Sequence, residues 1–163
     1  MDETCRHWRT RVRVADGFVL CSGWYATRRG AQLDVSAPDV GYYLDDHWRF
    51  DPPAGVASSQ VHVDWPDMGV IQPDRLAELA AEVAGSVAAG LSVEIACLGG
   101  HGRTGTLLAS VIGHAEGLGA GAALREARRR YCRRAVETLP QVRLIYAALG
   151  EPPPGPEGLL AGR

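Results

Sequence analysis

The chain reads as an α/β domain with a central, mostly parallel sheet flanked by helices. Three observations carry that reading. Short apolar runs of strand length alternate with longer segments whose apolar residues recur at helical spacing. Residues 61–96 read as strand, helix and strand in succession, close to the ~30 residues of a parallel crossover. An apolar fraction of 46% and a charged fraction of 22% over 163 residues suit one globular domain with a substantial core.

Taken in order, Arg11-Val12-Arg13-Val14 alternates polar and apolar residues, Asp16-Gly17 follows, and Phe18-Val19-Leu20-Cys21 is a second apolar run. An Asp-Gly between such runs predicts a β-hairpin, because tight hairpin turns want positive φ. Residues 23–39 read as loop, with room for a short strand near Gln32–Val35. Tyr42-Tyr43-Leu44 predicts a strand ended by Asp45-Asp46, and Asp51-Pro52-Pro53-Ala54-Gly55 predicts a turn. Val61-His62-Val63 is a short strand leading into Asp64-Trp65-Pro66-Asp67.

Pro73-Asp74 opens a helix with Leu76, Leu79, Val83 and Val87 on one stripe, and Gly90 suits its end. Leu91–Ala96 is the next strand and runs into Cys97. Thr104 to about Glu116 is strongly apolar and predicts the central buried helix, broken by Gly117–Gly121. A further helix is expected over Ala122–Arg134 and a last one from Leu139/Pro140 to Leu149. Residues 1–150 thus form one domain, and residues 151–163 open with Glu151-Pro152-Pro153-Pro154-Gly155-Pro156, a Pro/Gly-rich tail expected to be disordered.

Composition narrows the function. The net charge of -2 gives no general pull toward nucleic acid or anionic membrane, so neither is an expected partner. The 17 basic residues are all arginine, a feature read as coding bias. No run approaches the ~20 apolar residues that span a bilayer, and Met1–Arg6 lacks the apolar stretch of a signal peptide, so the cytoplasm is the expected location. Cys5, Cys21, Cys97 and Cys132 are too few and scattered for a disulfide scaffold, and none pairs at zinc-knuckle spacing. Cys5 and His7 could coordinate a metal, although an incidental polar N-terminus is the favoured reading.

The chemistry is concentrated in Cys97-Leu98-Gly99-Gly100-His101-Gly102-Arg103-Thr104 and, upstream, Trp65-Pro66-Asp67. Leu98, Gly99, Gly100, His101, Gly102 and Arg103 can form a cradle for a phosphate: glycines let the backbone curl so that its N–H groups converge, and the following helix aims its N-terminal dipole at the same point. The Arg103 fork grips two phosphate oxygens. Cys97 sits at the base of this positive pocket, and such surroundings favour the thiolate, a good nucleophile toward phosphorus. The Thr104 hydroxyl could donate to that sulfur and help it leave. Because the strands before Asp67 and Cys97 are parallel, their C-terminal ends share one sheet edge, where ligands collect in open α/β sheets. Asp67 can then protonate the leaving oxygen and later activate water, which Gln141 could orient. No metal or other cofactor is required, since amides and Arg103 carry the electrostatics.

With those residues in view, the chain resembles the cysteine-dependent protein tyrosine phosphatase superfamily, in its compact dual-specificity-like branch. The signature of Cys, five residues, Arg, then Ser or Thr is matched by Cys97, Arg103 and Thr104, and the mobile Trp-Pro-Asp loop by Trp65, Pro66 and Asp67. Ala135–Gln141 looks like the glutamine-bearing loop of some members. The resemblance implies a phosphotyrosine-phosphatase-like fold, a phosphocysteine intermediate, and closure of the acid loop over a phosphorylated protein or a small phosphomonoester. It also implies that His101 occupies a slot that influences substrate choice, where a cationic ring would favour a more highly charged substrate. Members usually carry His before the nucleophile; here the residue is Ala96. No dedicated phosphotyrosine-recognition loop is evident in residues 1–60.

Other readings fit parts of the chain. Gly100-His101-Gly102-Arg103-Thr104-Gly105 satisfies a dinucleotide-binding pattern, but an arginine-rich helix stands where an acidic strand end belongs. A pseudophosphatase that binds phosphate without turnover keeps the fold, and an inositol phosphate, lipid phosphate or RNA end keeps the chemistry. Residues Arg125–Arg134 read as a solvated face, with an acidic docking partner as the alternative. Cys21 and Cys132 read as core residues, with a disulfide to Cys97 as the alternative.

Overall fold

The computed structural model describes residues 7–30 and 36–156. Cys5, the stretch around Gln32–Val35 and residues 157–163 lie outside the described residues. The elements are β1 (Thr10–Val14), β2 (Gly17–Gly23), α1 (Trp24–Gly30), β3 (Val40–Tyr43), α2 (His47–Phe50), β4 (Ser59–His62), α3 (Pro73–Ala88), β5 (Val93–Cys97), α4 (Gly102–Glu116), α5 (Ala120–Arg130) and α6 (Leu139–Ala148).

One five-stranded sheet runs in the order β1-β2-β5-β3-β4. Only β1 is antiparallel, paired to β2 through the expected hairpin; β2, β5, β3 and β4 are mutually parallel. The hairpin turn departs in detail from the Asp-Gly reading. Val14 pairs with Gly17, so Ala15 and Asp16 form the loop, and Ala15 takes the positive φ of 48°. Gly17 is needed instead for close packing, since a Cβ there would strike Val87.

β5 lies at the centre of the sheet, between β2 and β3, and every residue in it is buried. Its side chains alternate between the two faces. Val93, Ile95 and Cys97 join the main core, whose helical side holds Leu76, Leu79, Val83, Leu107, Leu108 and Ile112. Ala96 faces a smaller cluster with Tyr43, Trp48 and Ala57. α4 is the buried centre of the helical layer and packs against α3, α5 and α6, as its strongly apolar composition predicts.

Boundaries shift where local geometry overrides pattern. The segment after β2 starts with helix α1 rather than loop, and Thr27 Oγ1 bonds back to the Gly23 carbonyl. α5 begins at Ala120 and ends at Arg130 rather than running over Ala122–Arg134. The crossover from β4 through α3 to β5 passes over β3. Glu151, the first residue of the expected tail, accepts a hydrogen bond from Ala120 N–H and so helps start α5. No single helix among the described residues is long and apolar enough to cross a membrane.

Candidate active site

The four parallel strands end on one edge, and each hands the chain to a segment of the site: β2 to Gly23 and α1, β5 to Cys97 and the cradle, β3 to Leu44 and Asp45, β4 to Trp65 and Asp67. The sheet edge chosen from sequence is therefore the one that gathers these residues.

The cradle is a tight turn between β5 and α4. Gly100 adopts φ 82°, and its N–H donates to Cys97 Sγ at 3.2 Å, so the backbone curls around the sulfur. The loop also needs room behind it: a Cβ on Gly23 would lie 2.6 Å from the Gly99 carbonyl carbon. Tyr131 donates its hydroxyl to the Gly100 carbonyl and braces the loop from the other side. Beside Ala96, where a histidine is usual in the resembled family, Trp48 stacks on Tyr43 and donates its indole N–H to the Cys97 carbonyl at 3.0 Å. Cys97 is 3% exposed, with its side chain toward the cradle amides.

Arg103 is buried and makes four hydrogen bonds. Nη1 donates to the carbonyls of Leu44 and Trp65, each at 2.9 Å. Nη2 donates to Asp45 Oδ2 at 2.8 Å and Asp67 Oδ1 at 2.9 Å. The residue thus fastens the β3 end and the acid loop to the cradle. Asp45 carries an opposed balance: burial pushes its carboxyl up, but hydrogen bonds from the His47 backbone and ring and from Arg103 outweigh burial and hold it below its ordinary value. Asp67 belongs to a Pro-anchored turn in which Trp65, 3% exposed, donates its indole N–H to the Gly69 carbonyl. Its own carboxyl is largely exposed, with Arg103 as its ion-pair partner.

Other assigned residues sit at the site in different roles. The Thr104 hydroxyl donates to the Ser22 carbonyl at 3.3 Å rather than to the Cys97 sulfur. Gln141 is fully buried: its side-chain oxygen accepts from the N–H groups of Glu137 and Thr138, and its nitrogen donates to the Gly69 carbonyl at 3.4 Å. It therefore caps α6 and pins the acid loop, leaving little of the amide for a water. Burial and then the Arg134 charge lower the pKa of His101 below its ordinary value, which disfavours the cationic ring considered from sequence. Leu98 contributes its backbone, its carbonyl accepting from Tyr25 N–H at 3.3 Å. Cys21, Cys97 and Cys132 form no disulfide. Burial, then the charges of Glu94 and Cys97, push the Cys21 thiol well up, so it is a protonated core residue.

The sequence reading passed over Asp45 and Glu137. Glu137 accepts from Gly102 N–H, and burial followed by the Asp67 charge raises its pKa against the opposing pull of that N–H and Arg103. A second carboxyl thus borders the cradle near Asp67. Asp45 had a signal, as an acid directly after a parallel strand; Glu137 had none, because only the fold of the α5–α6 connection brings it to Gly102.

No protein-family model matches this chain, and no curated protein does. Solved structures match closely in shape. A crystal structure of Tk-PTP in the active form is 22% identical with a TM-score of 0.68, covering 88% of this chain and 98% of that one. Human DUSP28 is 20% identical with a TM-score of 0.59, covering 90% and 99%. PTPMT1 in complex with PI(5)P is 16% identical with a TM-score of 0.64, covering 91% and 96%. The chain therefore has the α/β fold of the protein tyrosine and dual-specificity phosphatases, over nearly its whole length.

Proposed function

We propose that this protein is a cysteine-dependent phosphatase that hydrolyses phosphomonoesters, with phosphotyrosine in proteins as the favoured substrate and phosphoserine or phosphothreonine as further ones. The observation that carries the reading is the convergence on one sheet edge of a cysteine whose sulfur accepts from a cradle amide, a buried arginine and an acid-bearing loop.

In the first step the Cys97 thiolate attacks phosphorus. The S–P bond forms as the ester P–O bond breaks, and the leaving oxygen takes the bonding pair and a proton from Asp67. The cradle amides and Arg103 hold the equatorial oxygens as charge builds on them. In the second step Asp67, now a carboxylate, removes a proton from water. That oxygen attacks phosphorus, the S–P bond breaks, and thiolate and inorganic phosphate are released. The Arg103–Asp67 ion pair must open for this chemistry, because the guanidinium is wanted by the phosphate and the acid by the leaving group. A phosphate dianion competes with Asp67 for Arg103 and so frees the carboxyl as it binds.

Exposed apolar residues on the segments that leave this sheet edge support an aromatic substrate. Tyr25, Phe50, Met68 and Val70 are large exposed apolar residues on segments that follow β2, β3 and β4 at this edge. An aromatic ester would cover part of that rim. A phosphoinositide is the second reading, favoured by the similarity to PTPMT1 solved with PI(5)P.

Turnover of an activated aryl phosphate in the presence of chelator, inhibited by vanadate and abolished in Cys97→Ser, is the expected result. A wild-type protein that binds phosphate analogues without turning over would instead be a phosphate-binding module. Asp67→Ala should slow esters with poor leaving groups at least ~100-fold while sparing activated ones; equal losses on both would remove Asp67 from proton transfer.

A further inference from the structure

We propose a zinc-class metal site formed by His7, His101 and Cys132 on the flank of the cradle. His7 Nε2 lies 3.2 Å from His101 Nδ1, and Cys132 Sγ lies 3.6 Å from the same nitrogen. All three donor atoms fall within 4.8 Å of one another. A tetrahedral zinc ion with Zn–N bonds of ~2.0–2.1 Å and a Zn–S bond of ~2.3 Å has N···N and N···S edges of about 3.3 and 3.6 Å. The two observed separations match those edges.

The convergence is poorly explained by hydrogen bonding alone. One imidazole nitrogen has a single in-plane lone pair or a single N–H, so His101 Nδ1 cannot aim at both His7 and Cys132. An ion between the three atoms satisfies all of them. Two imidazoles and a thiolate are a donor set for zinc and neighbouring transition metals, and an unsuitable one for magnesium or calcium. Three protein ligands leave the fourth tetrahedral position to water.

The surroundings hold the ligands in place. The His7 carbonyl accepts from Gly23 N–H at 2.7 Å, which fixes the N-terminal segment beside β2. The His7 ring packs 4.6 Å from the ring of Tyr131, which also braces Gly100. Cys132 Sγ accepts from Arg134 N–H at 3.3 Å, the kind of bond that supports a thiolate ligand. The ligands come from three distant segments, so the ion cross-links the N-terminal segment and the α5–α6 connection to the cradle through His101. It takes no part in the attack on phosphorus, and the site stands whether or not the protein is a phosphatase.

The test titrates the Cys97→Ser chain with cobalt(II), then zinc. The substitution removes the cradle thiol as a competing ligand. The expected result is one equivalent of cobalt bound, with a thiolate-to-cobalt charge-transfer band and the visible absorption of a four-coordinate ion, both erased by one equivalent of zinc. Adding Cys132→Ser should abolish the charge-transfer band and weaken binding by at least ~10-fold, and adding His7→Ala should weaken it comparably. Zinc should raise the Tm of Cys97→Ser but not of Cys97→Ser/Cys132→Ser, with circular dichroism establishing that each variant is folded; should the His7→Ala chain not fold, the Cys132→Ser pair decides. Retention of the cobalt bands in Cys97→Ser/Cys132→Ser, or no cobalt binding by Cys97→Ser, would overturn the proposal.

Discussion

Asp45 is the more buried of the two carboxylates that hold the Arg103 guanidinium. Its carboxyl is nearly buried and sits 2.8 Å from Nη2, whereas the second anionic partner, Asp67, is largely exposed and is released in the proposed mechanism. Asp45→Asn keeps an acceptor and removes the charge. The expected effect is a loss of about 10-fold in kcat/KM, about 1.4 kcal/mol of transition-state stabilisation, with weaker binding of phosphate analogues and an intact near-UV spectrum. An unchanged kcat/KM would mean that the Leu44 and Trp65 carbonyls alone orient the guanidinium. At this scale the placing of Cys97, Arg103 and Asp67 at one sheet edge was legible in sequence, because the first two share one short turn and the third follows a strand parallel to theirs. The partners of Thr104 and Gln141 were not. A threonine hydroxyl and a glutamine amide bond to whatever the fold brings near, and here those groups are the Ser22 carbonyl and the Gly69 carbonyl.

The elements meet at close quarters, and glycines mark where. Gly23, the last residue of β2, faces the cradle so closely that a Cβ would lie 2.6 Å from the Gly99 carbonyl carbon and 2.9 Å from Gly100 N. Backbone cannot yield as a side chain can, so Gly23→Ala should displace the loop and reduce activity by a larger factor than it reduces stability. Steady-state kinetics and thermal melts on one sample would separate the two. The arginine-rich α5 is the other informative element. Arg130 bonds both oxygens of Glu116 and one of Glu126, Glu116 also receives Ala15 N–H from the hairpin turn, and Arg128 donates to the Ala135 carbonyl. Several of these arginines join the helix to its neighbours rather than only facing solvent. Hydrogen bonds from Arg129 and then Arg130 hold Glu126 down at about 2, against an ordinary 4.5, and the bond from Arg130 lowers Glu116 as well. The folded-state values lie below the unfolded ones. Their contribution to stability is therefore present above pH ~4.5 and is lost as the pH falls toward 2. The pairs are partly exposed, so the effect is modest and weakens in salt. Denaturant melts of Arg130→Gln should show a flatter loss of stability over that acid range than the wild type; an identical slope would assign the acid response to other carboxylates.

Over the whole molecule, a buried polar network ties the sheet together beneath the site. Glu94 on β5 is fully buried and accepts from Arg9, from Ser22 on β2 at 2.7 Å, and from the Tyr43 hydroxyl on β3 at 3.0 Å. Arg9→Met should cost about 3–5 kcal/mol in denaturant unfolding, because it strands a buried carboxylate, while Arg9→Met with Glu94→Leu should cost much less. Equal losses in the two proteins would mean that the pair is not coupled. The sequence by itself determined the α/β class, the hairpin, the parallel crossover and the sheet edge at which Cys97, Arg103 and Asp67 gather, because strand and helix periods and a contiguous glycine-rich turn are local properties. It could not reveal that β3 lies between β4 and β5, that Asp45 and Glu137 border the cradle, or that His7, His101 and Cys132 meet. Those depend on which chain segments pack against one another, and residues as far apart in the chain as His7 and Cys132 carry no spacing signal until the sheet and its helices have brought them within a few ångströms.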